Sequence, residues 1–178
     1  MIQLLKHITN EITPAILAAM PQTCDGASWS VKNEGVCAFA TRPDEGQKYL
    51  YGPIWPTESA REFVTLDDAF DVQIAFVVSD AKANSWAGLA SANRVTNAYT
   101  IQMVIAANIA TLSAIDRAEY ALNNCHGVSV VSISYDTQRN AQQFFQPNVD
   151  ARGIDPERMI TTVIFQYNAN FISTLEDL

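Results

Sequence analysis

Residues Met159–Phe171 read MITTVIFQYNANF, where one set of alternate positions is Met, Thr, Val, Phe, Tyr, Ala, Phe and the other is Ile, Thr, Ile, Gln, Asn, Asn. Successive side chains of a strand point to opposite faces, so this alternation predicts a long strand with one buried face. Just before it lie the paired charges Asp150, Arg152, Asp155, Glu157 and Arg158. A sheet is therefore the expected frame of the fold, with a charged loop leading into one of its core strands.

The same period recurs in Phe70–Asp80, FDVQIAFVVSD, with Val72, Ile74, Phe76 and Val78 on one face and Gln73, Ala75 and Val77 on the other. That is the signature of a central strand. Val128–Asp136, VSVVSISYD, alternates Val131, Ile133 and Tyr135 with Ser132, Ser134 and Asp136. Between these strands, Ser91–Asn124 reads as a long central helix. Ile101, Val104, Ile105, Asn108, Leu112, Ile115, Glu119 and Leu122 fall along one stripe beside a smooth stripe of Met103, Ala107, Ala110, Ala114, Ala118 and Ala121. A competing reading makes Thr100–Ala106 a strand and starts the helix near Thr111, and periodicity leaves both open. Gly127 is the expected left-handed residue after the helix.

At the other end, Ile2, Leu5, Ile8, Ile12, Ile16 and Met20 recur at helical spacing, with Pro14 interrupting the helix and Pro21 ending it. The Gly- and Pro-rich stretch that follows offers short strands at Val36–Ala40 and Lys48–Tyr51, inside a loop-rich insertion over about residues 41–66. The expected architecture is one α+β domain over residues 1–178. Its mostly antiparallel sheet packs against the N-terminal helix and the long central helix.

The chain has 178 residues, 48% apolar and 17% charged, with a formal net charge of −8. Phosphate binding draws on clustered Lys and Arg, and no basic run is present. Three cysteines, Cys24, Cys37 and Cys125, form no C-x-x-C and read as reduced thiols of a cytosolic protein. Asn10 and Glu11 interrupt what a signal peptide would keep apolar. The uncharged span Val95–Ile115 carries too many Thr, Asn and Gln for a bilayer, so no membrane association is expected.

Chemistry is sparse. His7 and His126 lack the further ligands of a zinc site, and no phosphate-cradling glycine loop, G-x-S-x-G or H-E-x-x-H occurs. The acidic group Asp67, Asp68 and Asp71 reads as the solvated start of a strand rather than a cation site. Trp29, Trp55 and Trp86 are packing anchors or contacts for a partner. No catalytic, metal-binding or cofactor-binding residue is expected, and the chain is not expected to be an enzyme.

The order of elements, with FDVQIAFVVSD, a helix ending in AEYALNNC, then VSVVSISYDTQRNAQQFF and ERMITTVIFQYNANF, resembles the neck and tail-terminator proteins of long-tailed bacteriophages from about Phe70 onward. The resemblance implies a virion structural protein, assembled in the host cytoplasm, that forms a hexameric ring. Such a ring caps the tail tube, meets the head–tail connector or head-completion protein, and lets DNA pass through its lumen. A ring subunit needs two different complementary patches. The residues expected at this interface are Arg139, Phe144, Phe145, Asp150, Arg152, Asp155 and Arg158. Alternatives are another head-completion or baseplate component, a small cytosolic enzyme with a Cys- or Asp-based site, and a ligand-binding module whose tryptophans line a pocket.

Overall fold

The computed structural model describes residues 2–20, 29–43, 46, 48–55, 61–84, 94–145 and 157–172. The N-terminal helix is built in pieces: α1 (Ile2–His7), a π turn (Ile8–Ile12) and α2 (Thr13–Ala19). Pro14 sits at the start of α2, where its missing N–H is harmless. The widened turn before it accommodates the ring that would clash in a continuous α-helix.

The strands β1 (Val31–Thr41), β2 (Lys48–Trp55), β3 (Glu62–Phe63), β4 (Val72–Asn84), β5 (Arg94–Asn108), β6 (Val128–Ser134) and β7 (Arg158–Ile172) form one sheet in the order β3-β2-β1-β4-β5-β7-β6. Every adjacent pair is antiparallel except β1 with β4. The mostly antiparallel sheet is as expected. The stretch 41–66, read as a loop-rich insertion, supplies β2 and β3.

The long central helix is absent. Its first half is β5, and only α3 (Ser113–Asn124) is helical, after a short 3-10 turn at Ile109–Thr111. The competing reading was the better one. Tyr99, Ile101, Met103, Ile105 and Ala107 pack beneath the helices, while Val104 and Ala106 join a second cluster on the opposite face. A strand buried on both faces has apolar residues at every position, and such a run mimics a helical stripe.

The N-terminal helix and α3 cover the first face, where Leu4, Ile8, Ile12 and Ile16 meet Phe76, Ile101, Met103 and Phe165. Arg117 ties them with a bond from Nη1 to the carbonyl of Ala19 at 3.4 Å. The second face is covered by α4 (Thr137–Phe144), whose Ala141 and Phe144 pack on Leu50, Val77, Val104 and Ile160. Asn140, buried on α4, donates from Nδ2 to the carbonyls of Ser134 at 3.0 Å and Ile160 at 2.9 Å, clamping the helix to β6 and β7.

Gly127 adopts φ +74° between α3 and β6, and a Cβ there would lie 3.1 Å from the carbonyl oxygen of Asn168 and 3.2 Å from the Tyr167 ring. Both the left-handed backbone and the contact with β7 exclude a side chain. Gly127→Ala is expected to lower the unfolding free energy by about 1–3 kcal/mol in urea denaturation; an unchanged midpoint would contradict this placement.

Candidate interface and polar hub

Arg158 opens β7 at the position opposite Asn108 and is only 4% exposed. Its guanidinium forks across the turn that leads into β4, donating from Nη1 to the carbonyl of Asp67 at 3.1 Å and from Nη2 to the carbonyl of Phe70 at 2.8 Å. Nε lies 3.7 Å from Asp68 Oδ1. The planar fork satisfies two main-chain acceptors of a turn that has no strand partner for them.

The rest of the acidic group is bound up in the same turn. Asp67 accepts from Lys32 Nζ at 3.0 Å and from the Ala69 N–H at 3.1 Å. Asp71 accepts from the Ser30 N–H and hydroxyl at 2.9 and 2.8 Å. Gln73, 1% exposed, accepts from the Asp67 N–H and donates to Glu34 Oε1 at 2.7 Å and the Thr65 carbonyl at 2.8 Å. The solvated strand start of the sequence reading is thus a half-buried polar hub joining β1, β4 and β7. No group of metal-ligating side chains occurs among the described residues. A cleft of about 310 Å³ lies beside the hub, lined by Lys32, Glu34, Glu62, Phe63 and Thr65 among others, but Lys32 is already paired with Glu34 and Asp67.

Several of the residues expected at a subunit interface are used inside the fold. Phe144 and Phe145 are each 1% exposed, and Phe144 stacks on Phe39 with ring centroids 5.7 Å apart. Arg158 belongs to the hub. None of these three side chains is on the surface of the chain. Arg139 is exposed on the first turn of α4, with its N–H bonded to Asp136 Oδ1 at 3.0 Å. Asp150, Arg152 and Asp155 lie outside the described residues, as do Cys24 and Trp86. The sequence signal for α4 was the capping Asp136 followed by apolar Ala141, Phe144 and Phe145 at helical spacing.

The two described thiols are quiet. Burial pushes Cys37 up to about 12, with a further push from Glu34, and its Sγ donates to the Glu34 carbonyl at 3.5 Å. Burial also raises Cys125. Neither presents a thiolate at neutral pH. His7 is stacked on Tyr167 at 4.1 Å with Nδ1 3.1 Å from Glu11, and His126 is exposed. Trp29 and Trp55 pack against the main core.

Among the described residues, the second face of β5, β7 and β6 beyond α4 forms a polar surface. Cross-strand rows there are Thr100–Gln166–Ser129 and Gln102–Ile164–Ser132, with Asn168 alongside. Ser129, Ser132, Gln166 and Asn168 are exposed, and Thr100, Gln102 and Ile164 are half-buried. Within β5, β7 and β6 these rows carry no charge, while β4 sets Asp80 opposite Thr100 and Lys82 opposite Ala98 in the row of Asn168. On the opposite side the same strands are backed by Tyr99, Ile101, Phe165 and the helices, so the platform rests on the main core.

Neither the family models nor the curated proteins searched give a match to this chain. No helix among the described residues is long and apolar enough to cross a membrane.

Two outcomes follow from the hub. Arg158→Met is expected to lower the unfolding free energy by about 2–4 kcal/mol, leaving the Phe70 carbonyl without its partner and the Asp67 carbonyl with only the Phe70 N–H at 3.3 Å, and Arg158→Lys recovers only part because an ammonium does not fork across both. Equal stability of the Lys variant and the native chain in urea would contradict the fork. The Lys32 hydrogen bond, then that from Ala69, holds the Asp67 carboxyl below its ordinary range. A carboxyl lowered by folding stabilises fully above its unfolded value, about 4. That stability is lost as pH falls through the folded value. Asp67→Asn should therefore melt with a shallower acid decline below about pH 4 than the native chain; parallel declines would remove Asp67 from the acid response.

Proposed function

We propose that this chain is a structural subunit of a long-tailed bacteriophage virion, a tail terminator or neck protein whose ring caps the tail tube and joins it to the head connector. The resemblance of its element order is one support. The observation that carries the reading is the polar platform of β5, β7 and β6, whose rows meet only Asp80 and Lys82 on β4. A wall that DNA must slide past needs neither the Lys and Arg that would hold phosphates nor dense carboxylates that would repel them, and rows of Ser, Thr, Gln and Asn meet both conditions.

A second support is where the reactive residue types lie. Among the described residues, the hub aspartates, the thiols and His7 are engaged in packing or main-chain contacts. For the ring contact, Arg139 with Asp150, Arg152 and Asp155 remain the proposed patch, now without Phe144, Phe145 and Arg158. Another head-completion or baseplate component would share these features, and the particle part that co-assembles with the chain separates the two.

Light scattering and negative-stain microscopy of concentrated protein test the reading. Rings with a central hole are expected, and joint reversal of Arg139→Glu and Arg152→Glu should abolish them while leaving the melting temperature within a few degrees. Rings that survive both reversals would remove this patch, and the absence of rings with or without tail tubes would remove the ring reading itself.

A further inference from the structure

β1 loses its regular ladder beside the cleft. Its register slips toward β4 between Asn33 and Val36, and toward β2 between Val36 and Ala38. Gly35 sits at the slip with φ +70°, and its N–H bonds to Asn33 Oδ1 at 3.0 Å. Breaks of this kind re-aim side chains and are common beside binding sites. Here the break borders the cleft of about 310 Å³, which is set between Lys32 and Glu34 of β1, Gly52 and Pro53 of β2, and Glu62 and Phe63 of β3.

The walls are negative. Glu34, with a side chain 15% exposed, accepts at Oε1 from Gln73 Nε2 at 2.7 Å and from Lys32 Nζ at 3.1 Å. Gln73 is buried and also bonded to the Asp67 N–H, so the Glu34 carboxylate is held in place. Lys32 is shared with Asp67 at 3.0 Å, and one ammonium between two carboxylates leaves a negative charge uncompensated. Glu62 brings another from β3; its carboxylate is exposed and has no ion pair or hydrogen bond among the described residues.

Few ligands suit such walls. Phosphates and other anions are repelled, and a bare metal ion finds no group of three ligating side chains among the described residues. The volume is at the small end of ligand sites, with room for a short amine or one side chain and not for a nucleotide.

We propose that this cleft binds an organic cation, a primary ammonium or guanidinium group, between Glu34 and Glu62. The several N–H donors of such a group reach carboxylates on separate strands, where a metal ion would need a closed shell of ligands. The chemistry is the same for a free amine and for the Lys or Arg side chain of a partner. The inference stands apart from the ring reading, because it uses no residue of the platform or of the ring patch.

Nuclear magnetic resonance titration of the full chain at low ionic strength is the test, with putrescine and N-acetyl-arginine amide as separate probes and sodium chloride as the blank. Saturable shifts of the amides of Glu34, Gly52 and Glu62–Thr65 are expected, with a dissociation constant of about 1 mM or below. Saturation by both probes means that a free amine suffices, and saturation by the arginine derivative alone points to a partner's side chain. Glu62→Gln alters a carboxylate that the fold does not use and should weaken binding about tenfold. Asp116→Asn, on an exposed site of α3, should leave binding unchanged. No saturable shift with either probe, or equal binding by the Glu62→Gln chain and the native one, overturns the proposal.

Discussion

The antiparallel ladder between β5 and β7 is the constraint on which the rest of the molecule depends. It runs without a register break from Arg94 opposite Ile172 to Asn108 opposite Arg158, a length of about 50 Å at the ordinary strand rise. Its register fixes which residues face which layer. Ile101, Met103, Ile105, Val163 and Phe165 point to the N-terminal helix and α3, while Val104, Ala106 and Ile160 point to α4. A slip by one residue would exchange these sets and expose both cores.

The ladder also delivers polar groups to two places. At its base it sets Arg158 under the turn before β4, where the guanidinium binds the carbonyls of Asp67 and Phe70. Beyond α4 it arranges Thr100, Gln102, Gln166 and, through β6, Ser129 and Ser132 into polar rows. The first arrangement holds strands together and the second faces outward.

Legibility in the sequence followed residue type more than burial, since Val72–Val77 and Ile160–Val163 are buried on both faces as Met103–Ala107 is. Val72–Val78 and Met159–Phe165 set Gln73 or paired Thr among their apolar residues and are bounded by polar ones, so they can be read as strands. Arg94–Asn108 cannot, because its apolar run Met103–Ala107 continues into the apolar residues of α3 and mimics one helical stripe. Arg158 looked like part of a solvated charge run; only its register position opposite Asn108, at the foot of the ladder, makes it a buried clamp. Phe144 and Phe145 read as surface aromatics until the cap at Asp136 defined α4 and turned them inward. The polar platform was visible residue by residue but not as a surface, since its rows come from strands far apart in the chain.

Native-state hydrogen exchange tests the ladder as the spine of the structure most directly. Amides of Ile101–Ala107 and Ile160–Phe165 are predicted to exchange only through global unfolding, with one shared free energy equal to that from urea denaturation. Exchange of the β7 amides through a smaller, separate opening, with β5 still protected, would contradict the account.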